Sequence, residues 1–288
     1  MQRKITSLAA ATALGLAFAG AAFADPVDDT LVINTDDGEI TLTTKAAAPA
    51  HLDGALTEIY SGWHFRDDDT RSMQQDDFDN PGMVFVDLGM DKWNAAIGKN
   101  GESCAGCHNG PESMSGLRAV TPRVDEKTGK LMIMEDYING CVTERMGLDA
   151  WGTTSGDMKN MLALISVQSR GEVQNVAIDG PAAEFYAKGK EIFYTRYGQL
   201  EMACANCHED NYGNFIRADH LSQGQISGFP VYRLKDAGLV SAQQRFVGCV
   251  RDTRAETFKA GSDEFKALEL YVASRGNGLS IEGVGVRH

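Results

Sequence analysis

The chain has 288 residues, 43% hydrophobic and 23% charged, with 40 acidic against 27 basic side chains and a net charge of −13. That length allows one large domain or two ordinary ones, and the composition excludes a disordered or collagen-like chain. The acidic balance excludes nucleic acid or an anionic membrane surface as the principal partner, because both demand clustered positive charge.

The N-terminus reads as a secretory leader. Arg3 and Lys4 form a basic start, Leu8 to Ala24 is almost wholly apolar, and the run ends in the small-x-small triplet Ala22-Phe23-Ala24. Residues 1–24 are therefore expected to be a signal peptide cleaved before Asp25. The run is short for a spanning helix and has no charged stop, which disfavours a membrane anchor. With no Arg-Arg pair, the route is the unfolded-export one. Cleavage leaves 25 basic and 40 acidic residues, a net −15. The expected location is the periplasm, where thiols meet an oxidising environment. Residues 25–50 follow as an N-terminal extension. Thr30–Thr35 and Glu39–Thr44 alternate apolar and polar residues around Asp36-Asp37-Gly38, the pattern of a β-hairpin.

Two pentapeptides then carry the chemistry, Cys104-Ala-Gly-Cys107-His108 and Cys204-Ala-Asn-Cys207-His208. In C-x-x-C-H the two cysteines can form thioethers to haem vinyl groups while the histidine turns its imidazole onto the iron. A zinc, thioredoxin-like or disulfide role leaves the histidine after each pair unexplained. Two covalently bound haem c groups are the expectation.

The motifs are 100 residues apart, and other features recur in the same order. Gly89 and Trp93 answer to Gly189 and Phe193; Gly140-Cys141-Val142 answers to Gly248-Cys249-Val250; Ser169-Arg170-Gly171 answers to Ser274-Arg275-Gly276. Helical periodicity over Met158–Gln168 and Phe265–Ser274 precedes the last pair. The expected fold is mainly α: two tandem class I cytochrome c-like domains, 51–178 and 179–288, behind the short hairpin. In each, the glycine of the first helix lets the terminal helix cross closely. Tyr271 is expected at the second crossing and Ser166 in the equivalent place at the first.

A second axial ligand is needed in such a fold, commonly methionine. Of eleven methionines, Met114, Met132, Met134 and Met146 among them, none holds equivalent places in both units, whereas Cys141 and Cys249 do. Three readings stand: a Cys141–Cys249 disulfide, inert buried thiols, or thiolate ligands to the two irons. Thiolate ligation would favour ferric iron and low potentials. Arg245, Arg251 and Arg254 cluster around Cys249, whereas Cys141 has only Glu144-Arg145 nearby. Each arginine reads either as part of a local anion site on an acidic chain or as a partner of a haem propionate or a carboxylate, and Arg245 is the one expected to face an anion.

The paired motifs, the lone cysteine after each and the segment Arg245-x-x-Gly-Cys249-Val-Arg-Asp-Thr-Arg254 together resemble the SoxA family, over about residues 50–288. SoxA proteins are the dihaem subunits of the SoxAX cytochromes of bacterial thiosulfate oxidation. The resemblance implies His108 with Cys141 and His208 with Cys249 as axial pairs, a persulfide at Cys249, and Arg245 beside it. It implies an L-cysteine S-thiosulfotransferase that joins thiosulfate to a cysteine of the SoxYZ carrier. Two electrons would pass to the SoxX haem and onward to a downstream cytochrome c. A thiosulfate dehydrogenase forming tetrathionate and a non-catalytic dihaem electron carrier remain the alternatives. A dihaem peroxidase needs a displaceable ligand, which paired cysteines disfavour.

Overall fold

The computed structural model describes residues 26–217 and 219–288, so the leader lies outside the described residues. Nine α-helices are found among these: α1 (Asp68–Gln74), α2 (Met83–Asn94), α3 (Cys104–His108), α4 (Met134–Gly140), α5 (Gly156–Gln168), α6 (Ala183–Tyr194), α7 (Cys204–His208), α8 (Ala242–Asp252) and α9 (Asp263–Arg275). None is long and apolar enough to cross a membrane.

Two helix crossings organise the molecule, α2 on α5 and α6 on α9. Both depend on glycine. A Cβ on Gly89 would stand 2.5 Å from the Asn160 carbonyl oxygen, and one on Gly189 would stand 2.0 Å from that of Ala267. Neither position tolerates a side chain while the backbones stay in contact. Ser155 and Ser262 cap the two terminal helices by accepting from Met158 N and Phe265 N.

The same contacts correct one expectation. Leu164 meets the Gly89 position as Tyr271 meets the Gly189 position, so Leu164, not Ser166, stands where Tyr271 does. The Ser-Arg-Gly triplets are consequently out of step. Ser169 is the C-cap of α5, whereas Ser274 and Arg275 lie in the last turn of α9. The triplets and the helix crossings therefore differ in register by two residues, about half a helical turn.

The first core gathers Trp93, Ile138, Val142, Met161 and Leu164; the second gathers Phe193, Phe246, Val250, Phe265 and Tyr271. The halves also interlock. Val284, near the C-terminus, belongs to the first core, and Leu131 packs into the second. Gly285–Arg287 runs parallel to Val231–Arg233, and Val286 N donates to Gln74 Oε1 of α1 at 3.0 Å. The N-terminal segment forms an antiparallel pair, Val32–Thr35 with Gly38–Thr41, sealed by Leu31, Ile33, Leu42 and Trp63.

Candidate haem centres and sulfur site

Each C-x-x-C-H forms one short helix opened by a polar cap. Ser103 Oγ accepts from Gly106 N at 3.0 Å; before α7, Asn206 Oδ1 reaches back to Ala203 N at 2.9 Å. The helical turn brings the two cysteines and the histidine of each motif onto adjoining surface. Trp93 braces the first motif, its Nε1 donating to Asn109 O at 2.8 Å, with its ring centroid 5.8 Å from that of His108.

The second histidine is held more tightly. His208 Nδ1 donates to Ser222 O at 2.7 Å, which fixes the tautomer and leaves Nε2 as the free donor atom. Gly224, at φ +79°, packs against the imidazole, where a Cβ would come 2.9 Å from Cγ. Crowding by the protein lowers the His208 pKa to about 4, although part of the side chain remains accessible. The ring is thus neutral and able to ligate at neutral pH. Burial, with Cys249 next, pushes the Cys204 thiol up to about 12. As a free thiol it is thus a poor nucleophile at neutral pH.

Cys141 and Cys249 are both free, so they are not joined in a disulfide. Each stands by its own motif: the charge of Cys141 is felt by Cys104, and that of Cys249 by Cys204 and Cys207. Their settings differ. Cys249 is half-buried inside α8, with Phe246 and Val250 turned into the core. Cys141 is exposed and begins a π-helical turn, Cys141–Arg145, in which Met146 N bonds Cys141 O at 3.1 Å. Such turns insert a residue and concentrate at functional positions.

The residues present fit a covalently bound haem. Gly140 and Gly248 precede the two cysteines in helical conformation, where glycine costs about 1 kcal/mol relative to alanine. Beyond chain neighbours and the helix's own backbone, no atom lies within 4 Å of a Cβ on Gly140, and at Gly248 only Arg251 Nη2, at 4.0 Å, does. Packing within the chain does not demand these glycines, and the open space beside each cysteine fits a large group such as a haem. No three His, Cys, Asp or Glu side chains converge as a metal site among the described residues.

Arg245 lies four residues before Cys249 on α8 and so on the same helix face. It is half-buried, and among the described residues it forms no salt bridge, whereas Arg251 pairs with Asp252 at 3.4 Å and Arg254 is exposed. The Cys249 charge, foremost, holds the Arg245 guanidinium more firmly protonated. Asp219, Asp252, Asp236 and Arg233 add to the surrounding field without a direct ion pair to Arg245. Arg233 sits opposite Gly238 across the strand pair that leads directly into Ser241, the cap of α8. Asp219 is bound by Arg66 at 2.9 Å. Sequence reading missed Ser222, Gly224 and Arg233, which lie in loops and a three-residue strand without periodicity.

Comparison with known proteins agrees with this geometry. The family model described as SoxA/TsdA, cytochrome c domain, matches residues 88–173 and 188–281. The L-cysteine S-thiosulfotransferase subunit SoxA of Paracoccus pantotrophus is 76% identical over 279 residues, 97% of this chain and 96% of that one. Its counterpart in Rhodovulum sulfidophilum is 54% identical over 98% of this chain and 97% of that one. The crystal structure of SoxXA from P. pantotrophus contains a chain that superposes with a TM-score of 0.91 at 75% identity, covering 92% of this chain and all of that one. With the paired motifs, the two glycine-dependent crossings and a relative this similar along nearly its whole length, the chain belongs to the SoxA family.

Proposed function

We propose that this chain is the dihaem cytochrome c subunit of a SoxAX-type L-cysteine S-thiosulfotransferase, conjugating thiosulfate oxidatively to a cysteine of a SoxYZ carrier. The unpaired Arg245 beside Cys249 carries this reading. A half-buried guanidinium without a carboxylate partner, on an acidic chain, is a site for an external anion.

The balance is simple. Thiosulfate dianion and the carrier thiolate join through a new sulfur–sulfur bond, giving the cysteine S-thiosulfonate monoanion and two electrons. When the carrier cysteine enters as a thiol, one proton leaves as well. Haem, when bound, supplies a one-electron acceptor for each of these electrons. Arg245 binds and orients the sulfonate oxygens through charge-assisted hydrogen bonds and offsets the repulsion between the two anions. Cys249, as a persulfide, joins the terminal sulfur of thiosulfate at its own outer sulfur with loss of the two electrons. The carrier thiolate then attacks that thiosulfate sulfur, takes the S–SO3 group and releases the Cys249 persulfide unchanged. In this reading Cys104, Cys107, Cys204 and Cys207 hold two haems, with His108 and Cys141, and His208 and Cys249, as axial pairs.

The mature domains run over 51–178 and 179–288 in the periplasm, after cleavage of the leader. SoxX is the partner haem protein, and a further cytochrome c receives the electrons. The test is thiosulfate turnover with and without SoxYZ and SoxX, read by mass spectrometry of the carrier cysteine. Conjugation that needs all components and is abolished by Cys249→Ala supports the assignment. Tetrathionate formation at the same rate without carrier overturns it in favour of thiosulfate dehydrogenase.

A further inference from the structure

A second charged cluster lies apart from the sulfur site. Arg118 follows the first haem motif on a short 3-10 turn, Glu135 stands in the first turn of α4, and Glu269 lies in the middle of α9. The three are only 5%, 4% and 5% exposed. They line a cavity of about 20 Å³, together with Thr121, Ser166 and Ser241. That volume holds one water molecule when polar partners surround it.

The hydrogen-bond accounting is uneven. Arg118 spends Nη1 on Thr121 O and Nη2 on Ile226 O, both at 3.2 Å, so it ties the first half of the chain to the second. Glu269 Oε2 accepts from Gln243 Nε2 at 2.6 Å. Among the described residues, the Glu135 carboxyl has no partner beyond its own backbone N–H, and it faces the cavity. The adjoining Asp136 is engaged by Lys266 at 2.8 Å, so that lysine is not free to neutralise Glu135. Two carboxylates against one guanidinium leave a surplus negative charge away from water, an arrangement relieved by keeping one proton.

We propose that Glu135, Glu269 and Arg118 form a proton-binding site at the junction of the two halves, in which Glu135 holds the proton at neutral pH and donates a hydrogen bond to a single cavity water. Burial, and then the Glu269 charge, both raise the Glu135 pKa. Glu269 is the better partner for Arg118 and already has the Gln243 amide. The consequence for stability has a definite sign. A carboxyl whose folded pKa is raised contributes fully below the ordinary carboxylate pKa and loses that contribution as pH rises through the folded value. In between, the native state binds the extra proton, and the unfolding constant rises tenfold per pH unit.

The test uses the mature haem-loaded chain. Infrared spectra at pH 7 should show a protonated-carboxyl stretch that Glu135→Gln removes and the exposed control Glu126→Gln keeps. Denaturant unfolding between pH 5.5 and pH 8.5 should show the tenfold-per-unit rise for the native chain relative to Glu135→Gln, over the window below the folded pKa. No infrared difference at pH 7, together with parallel pH profiles, overturns the assignment. If Glu135→Gln fails to fold, Glu269→Gln decides. It removes the repelling charge, so the carboxyl band must disappear at lower pH than in the native chain; an unmoved midpoint refutes the pairing.

Discussion

Replacing Gly189 by alanine tests the crossing on which the second half rests. Helix propensity alone favours the substitution by about 1 kcal/mol, because alanine restricts the unfolded chain and glycine does not. The crossing opposes it. The new methyl would stand 2.0 Å from Ala267 O and 2.9 Å from Tyr271 Cβ, and the nearer obstacle is backbone that no rotamer change can move. To reach ordinary contact, α6 and α9 must part by more than about 1 Å, loosening an interface in which Phe193 and Tyr271 are fully buried and their rings lie 5.2 Å apart. Overpacking of this kind costs about 1–3 kcal/mol and more where backbone must shift. A net loss of about 2 kcal/mol is expected, lowering Tm by about 4–8 °C for a chain of this size. Thermal unfolding followed by circular dichroism measures it, with Gly89→Ala as a milder companion because its clash is 2.5 Å. A Tm for Gly189→Ala equal to or above that of the native chain would refute the reasoning.

Other substitutions separate the roles of individual side chains. Arg245→Lys keeps the charge but loses the planar fork, so kcat/KM for thiosulfate should fall about ten- to a hundredfold, the worth of one charge-assisted hydrogen bond, with near-normal haem spectra. Cys141→Met exchanges an anionic sulfur for a neutral thioether; redox titration should find the first haem's potential raised while conjugation largely survives. Arg275 is fully buried, pairs with Glu209 and stacks 4.4 Å from the Phe193 ring centroid. Arg275→Met leaves the Glu209 carboxylate with only the Tyr194 hydroxyl, which donates to it at 2.8 Å, and should cost about 3 kcal/mol in denaturant unfolding. Intact-mass measurement of the mature chain should show two haem additions; one would mean that only one C-x-x-C-H motif is used.

What the sequence made legible was chemistry with fixed local spacing. C-x-x-C-H names its own ligand, and Arg245 and Cys249 announce a shared helix face by being four apart. Gly89 and Gly189 were legible because they recur at matching places in the first helix of each half, where a close helix crossing excuses the loss of a side chain. Contacts between distant segments were not. Ser222 behind His208, Val284 in the first core and the Arg118–Glu135–Glu269 cluster each depend on loops meeting elements more than ten residues away. The Ser166 misassignment had a related cause: three identical letters outweighed the helix caps, Ser155 and Ser262, which give the true register.

The duplication places a cysteine after each motif, yet the halves arrange it differently, and the difference bears on which one handles sulfur. Cys249 stays within a regular helix, half-buried, with Arg245 one turn behind it and a neighbouring histidine whose tautomer is pinned by Ser222. Substrate, thiol and cation can therefore meet on one rigid surface, as an electrostatic site needs if it is not to reorganise during reaction. Cys141 starts a π-turn and is exposed, and Arg145 near it is exposed as well, so that cation stays in water instead of being half-buried beside the thiol as Arg245 is. A π-turn re-aims a side chain without creating a binding surface. The first half can thus hold a haem by the same donor types while lacking what thiosulfate requires, and activity should follow substitutions on α8 rather than those on the π-turn.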